Sequence, residues 1–159
     1  GYAAAHNGDM ELALDYLEKV QALADESTAR FRFHDASQLM GLSAAILEGE
    51  MLRLDGDLDG SIVAFERAAE LDDQQPYDEP EPIPYAARHW LGAALLEAGR
   101  YAEAEEVYRT ELADHPHNVW SLHGLKAALD AQDKADPEFD ADFEESTSRM
   151  DVWITTSII

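Results

Sequence analysis

Residues 55–66 read DGDLDGSIVAFE and meet the calcium-loop pattern D-x-D-x-D-G-x5-E at every specified position. In such a loop Asp55, Asp57 and Asp59 supply hard carboxylate oxygens, and Gly60 makes the sharp turn. Ser61 offers its carbonyl, and Glu66 closes the shell as a bidentate ligand. Ile62 stands where such loops carry an apolar residue, and helical patterns lie on both sides. The same residues fit a second use. Gly56-Asp57 is a tight turn between two helices, and Asp57 or Asp59 caps a helix from about Leu58. A calcium loop keeps 55–60 non-helical and delays the next helix to about Val63, whereas a turn starts it near Leu58. Gly8-Asp9 and Gly99-Arg100 repeat the turn without the acidic triplet, and the calcium pattern occurs once.

Other candidate chemistry is sparse. His115-Pro116-His117 is an H-x-H on a loop, but no spacing fixes a third metal ligand. There is no G-x-S-x-G, no phosphate loop and no H-E-x-x-H. Carboxylates are so abundant that no single pair stands out as an acid–base dyad. With no cysteine, disulfides, thiolate zinc sites and thiol catalysis are excluded. The expectation is a non-enzyme without a cofactor and without a metal, the loop at 55–66 being the alternative.

Charge restricts the partners. The chain has 159 residues, with 34 acidic against 11 basic, a net charge of −23. Phosphate-rich surfaces are repelled, so neither nucleic acid nor an anionic membrane is expected. A basic protein or peptide is attracted. No apolar run is long enough to span a bilayer. Nothing in the composition fixes a compartment, and the cytoplasm is the default expectation. The chain opens at Gly1 inside a helical pattern, so the native N-terminus is expected to lie upstream, in a longer protein.

The elements that position these residues follow from apolar spacing. Gly1–Ala5 resembles the stub of a helix, and Asn7-Gly8-Asp9 is a turn. Met10–Leu23 carries Leu12, Ala13, Tyr16, Leu17, Val20 and Leu23 at helical period, with Asp9 as cap and Leu12 and Ala13 opening the buried face. A helix over Phe33–Leu54 and another over Leu58–Leu71 follow. Residues 72–84, DDQQPYDEPEPIP, hold four prolines and five acids and read as an extended acidic loop. Tyr85–Asn118 contains two helical patterns around Gly99. Val119–Ala131 is a further helix, Pro137–Val152 a weaker one beginning on a proline suited to a first turn. The tail 153–159, reached from Val152, reads as extended.

Within Tyr85–Asn118, Leu91-Gly92, Leu95, Gly99, Tyr101, Ala104, Tyr108, Leu112 and Pro116 fall at the signature positions of a tetratricopeptide repeat of about 34 residues. Gly56, Leu58, Ser61, Phe65 and Ala68 repeat the spacing of Gly99, Tyr101, Ala104, Tyr108 and Glu111. Gly8 and Asp133 mark two more turns. The chain thus resembles a tetratricopeptide array, similar to the C-terminal part of bacterial multi-repeat proteins of unassigned role. The resemblance implies an all-α, right-handed superhelical solenoid of antiparallel helix pairs as one domain over 1–159. Its units are 1–26 (truncated), 33–75, 85–118 and 119–152.

By that resemblance the first helix of each pair lines a concave surface. Its exposed positions are Ser43, Ile46, Glu50, Arg53 and Leu54; then Ala86, His89, Ala93, Leu96 and Glu97; then Trp120, His123, Ala127 and Asp130. His89 and His123 occupy equivalent places in neighbouring repeats. The partner-binding set is Glu50, Arg53, His89, Glu97, Trp120, His123 and Asp130. The basic clamp that some members use for a peptide carboxylate is not carried over, since its sites hold Ile46, Glu50, His89, Ala93 and Trp120. The implied function is a non-catalytic scaffold binding a protein or a basic peptide. The alternative is a cation-binding regulatory module using Asp55, Asp57, Asp59 and Glu66. Self-association is a further expectation, through an apolar face at the truncated end.

Overall fold

Four helix-to-helix turns in this protein use one backbone device. At Gly56 the chain enters the left-handed region (φ 88°), its N–H donates to Arg53 O (3.1 Å), and the next N–H, of Asp57, reaches Leu52 O (2.9 Å). This is a Schellman ending, which satisfies carbonyls that the helix itself leaves open. Gly99 (φ 72°) repeats it with Leu96 O (3.1 Å) and Arg100 N to Leu95 O (2.8 Å). Gly8 (φ 80°) repeats it with Ala5 O (3.0 Å) and Asp9 N to Ala4 O (2.9 Å). Asp133 makes the same turn without being glycine (φ 52°), bonding Asp130 O (3.1 Å) while Lys134 N reaches Leu129 O (3.0 Å). Glycine suits this conformation because it has no Cβ to strain; aspartate is among the few other residues that adopt it readily.

The computed structural model describes residues 1–148, 150–152, 154, 156 and 158. Among them are eight helices: α1 (Tyr2–His6), α2 (Met10–Glu26), α3 (Ala36–Asp55), α4 (Leu58–Asp73), α5 (Ala87–Glu97), α6 (Tyr101–Asp114), α7 (Val119–Ala131) and α8 (Pro137–Thr147). A two-stranded antiparallel hairpin, β1 (Arg30–Phe31) and β2 (His34–Asp35), precedes α3. The chain divides into two compact units, Gly1–Ala87 and Arg88–Ile159. In the first unit α1, α2, α3 and α4 pack each on the next, and in the second α6 packs on α7 and α7 on α8.

Starts of helices follow local capping. Asp9 accepts from Leu12 N (3.1 Å), Asp57 from Gly60 N (2.9 Å) and Asp136 from Phe139 N (3.1 Å). Asn118 accepts from both Trp120 N (3.0 Å) and Ser121 N (3.3 Å). Each satisfies a first-turn N–H that has no partner within the helix. Pro137 occupies the first turn of α8, as its missing N–H permits.

The first unit is built on Phe65. This ring is fully buried on α4 and lies against α3 at Gly49, where a Cβ would come within 2.5 Å of it. Leu17, Ala44 and Leu47 form a smaller cluster between α2 and α3, with Tyr2, Val20 and Met51 packed on it. The second unit is built on Tyr108, fully buried on α6. A Cβ at Gly92 of α5 would lie 2.3 Å from its ring and one at Gly124 of α7 only 2.1 Å away. The two glycines leave room for one aromatic side chain among three helices.

Four sequence expectations are revised. The helix expected over Phe33–Leu54 starts at Ala36, because residues 30–35 form the hairpin, with Arg32 at φ 55°. On α2 only Ala13 and Leu17 are buried; Leu12, Tyr16 and Leu23 are exposed. The helix expected over Pro137–Val152 ends at Thr147. The acidic loop 72–84 is not simply solvated, since α4 continues to Asp73 and Asp78 is buried. In the tail, Trp153, Thr155, Ser157 and Ile159 lie outside the described residues, and Ile154 is buried.

Candidate functional site

The residues expected to line a concave surface divide by burial. Glu50 on α3 has a side chain with 0% exposure. Arg53 grips it with two bonds, Nε to Oε2 (3.0 Å) and an Nη to Oε1 (2.7 Å), and His6 of α1 places Nε2 2.8 Å from Oε1. A buried carboxylate requires such partners. Glu50 therefore fastens α1 to α3 and is not a groove residue. Arg53 remains partly exposed at the edge of this cluster.

His89 is corrected in the same way. It is 3% exposed, and its Nε2 lies 2.9 Å from Ser121 Oγ, itself fully buried on α7. Burial, with a smaller contribution from the neighbouring His115, lowers its pKa from 6.5 to about 4. The ring is neutral near pH 7, and the contact ties α5 to α7.

His123 on α7 is half-buried. Its ring lies 5.5 Å from Phe143 of α8, and its Nδ1 is buried with no hydrogen-bond partner among the described residues. It borders a cavity of about 100 Å³ with Phe143, Thr147 and Met150.

Glu97 and Asp130 are exposed, Asp130 paired with Lys126, and Trp120 is half-buried at the start of α7. These three in the second unit, with Arg53 in the first, keep accessible surface, as does the half-buried His123.

The calcium pattern adopts the geometry of a helix hairpin. Asp55 ends α3, Gly56 makes the left-handed turn, Asp57 caps α4, and Asp59, Gly60 and Glu66 are within it. The helix starts at Leu58, not Val63. Among the described residues no group of three or more His, Asp or Glu side chains is placed to hold a metal ion. His115 and His117 also diverge: His115 Nδ1 meets Glu111 of α6 (2.7 Å) and His117 Nδ1 meets Asp142 of α8 (2.8 Å).

A pattern not anticipated from sequence joins the two units in kind. Each has buried carboxylates held by one histidine and one arginine. Besides Glu50 with His6 and Arg53, Asp78 accepts from Arg32 (2.7 Å) and lies 3.2 Å from His34 Nε2, and Glu111 lies 2.7 Å from His115 and 3.9 Å from Arg88. One signal was present: Glu111 falls where the other hairpin has Ala68, a buried small residue.

No family model matches the chain, and no curated protein matches it.

Proposed function

We propose that the chain is a tetratricopeptide-like solenoid, a right-handed superhelical array of antiparallel helix pairs acting as a non-catalytic scaffold for a protein or basic peptide. The observation that carries this is the recurring hairpin: four left-handed turns with the same pair of backbone bonds, two of them followed at equal spacing by an aromatic ring seated on a glycine of the preceding helix. A helix pair of this kind buries its apolar face by stacking on the next, which is the logic of repeat scaffolds. The net charge of −23 selects the partner's sign. Arg53, Glu97, Trp120 and Asp130 are the residues offered to it.

Fluorescein-labelled lysine and arginine nonapeptides, titrated against the chain by anisotropy at rising salt, test this. Binding is expected to weaken steadily with salt. The substitutions Glu97→Lys and Asp130→Lys are each expected to cost about two- to fivefold in affinity. Absence of binding at low salt, or equal binding of an acidic nonapeptide, overturns the proposal.

A further inference from the structure

The hairpin β1–β2 and the loop between α4 and α5 carry the three most exposed aromatic residues among those described: Phe31 (53%), Phe33 (63%) and Tyr77 (83%). Exposed rings of this size cost free energy in water unless something covers them. They are held by a built frame. Arg32 stands between the two phenylalanines, and its guanidinium reaches Asp78, the residue after Tyr77, at 2.7 Å. The same guanidinium donates to Glu79 O (3.2 Å) and Pro80 O (3.1 Å). Next to it His34, fully buried, contacts Asp78 (3.2 Å) and Gln75 (3.1 Å). Asp78 also receives Glu79 N (3.0 Å). The three aromatics are thus fixed within the reach of one arginine side chain, on backbone pinned from both sides.

Charge decides what fits there. The loop 72–84 has five acids and no basic residue. Asp73, Glu79 and Glu81 are exposed. The two local arginines are already engaged, Arg30 with Asp35 (3.0 Å) and Arg32 with Asp78. Beside Tyr77 lies a recess of about 90 Å³, lined by Leu42, Asp72, Gln75, Asp78, Glu81 and Ile83 among others. Aromatic faces interleaved with carboxylates attract a cation that is flat, weakly hydrated and able to stack. That is a guanidinium more than an ammonium. A second copy of this chain is disfavoured by the mutual repulsion of two strongly acidic molecules.

We infer that the β1–β2 hairpin and the adjoining acidic loop form a docking surface for an arginine-rich segment of a partner protein. This rests on the basic partner proposed above and adds a contact outside the helical groove. The test compares labelled nona-arginine with nona-lysine, equal in charge, on the full chain. The wild type is expected to bind nona-arginine about fivefold more tightly. In Phe31→Ala/Phe33→Ala/Tyr77→Ala, all at exposed positions, the two peptides are expected to bind equally, at the affinity nona-lysine has for the wild type. In Glu97→Lys/Asp130→Lys, both affinities fall while the arginine preference persists. Equal binding by the wild type, or a preference that survives the triple substitution, overturns the docking surface and leaves the scaffold standing. Failure of both peptides to bind overturns both. Sedimentation at the same concentrations supplies the remaining outcome: a wild-type dimer that the triple variant converts to monomer means that a second copy covers these rings, which also overturns the inference.

Discussion

The α3–α4 and α5–α6 hairpins are the same object built twice with different interiors. Gly49 and Gly92, Gly56 and Gly99, and Phe65 and Tyr108 are separated by the same number of residues, and each pair does the same work. Two other pairs in that register do not match. Ser61 replaces Ala104, and its buried Oγ has no hydrogen-bond partner among the described residues. Glu111 replaces Ala68 and is buried against His115 and Arg88. The difference teaches that backbone geometry tolerates a change of polarity inside, provided a charge brings its own partners. A hydroxyl, being cheaper to bury, is left without one.

The largest test of this equivalence is removal of the central ring. Tyr108→Ala and Phe65→Ala are each expected to destabilise by about 3–5 kcal/mol in urea titrations. Tyr108 is expected to cost more, since it serves two glycine-lined contacts and Phe65 one. Equal losses would mean that the second glycine contact contributes nothing.

Next are the glycines that receive the rings. Within an exposed helix, alanine for glycine ordinarily gains about 1 kcal/mol. Here the added methyl would enter the ring, and Gly124→Ala and Gly49→Ala are expected to lose roughly 1–3 kcal/mol. A stabilised variant in thermal melts would show that the ring moves aside without cost.

His89 sets apart the second unit by pH. Its pKa is about 4 folded against 6.5 in the unfolded chain, so between these values the unfolded chain binds the proton. Its contribution is full above pH 6.5 and declines as pH falls toward 4, by roughly 3 kcal/mol. His89→Gln, which keeps a polar contact for Ser121 and does not titrate, is expected to show a shallower loss over that window. Parallel pH profiles for wild type and variant would refute the burial argument.

Smaller effects come from the mismatched positions. Ser61→Ala, which makes the first hairpin resemble the second, is expected to stabilise by about 1 kcal/mol. Asp133→Gly, which makes the last turn resemble the other three, is expected to stabilise by about 0.5–1 kcal/mol. A destabilised Ser61→Ala variant would identify a partner for its hydroxyl.

Much of the helix plan was legible in the residues. The turns at Gly8, Gly56, Gly99 and Asp133, the caps Asp9 and Asp57, and the limits of α7 all follow from local chemistry: a left-handed residue ends a helix, and a short side-chain acceptor begins one. Spacing also marked Ala13, Leu17, Phe65 and Tyr108 as interior. The site was far less legible. Whether Glu50 or His89 faces water depends on which side chains from other helices close over it, and those helices are distant in sequence or offset in register.

By itself, then, the sequence determined where helices begin and end, the sign of the surface charge and the repeat of the aromatic positions, because these rest on interactions within a few residues. Only the tertiary structure decided which polar groups are interior: Arg53 lies one helical turn from Glu50 and His115 one turn from Glu111, but His6, Arg88 and both partners of Asp78 are brought by folding. It alone also joined Arg32 to Asp78, fixing an aromatic hairpin on an acidic loop more than forty residues away. Burial of charge is a collective property of packed elements, and no local pattern encodes it.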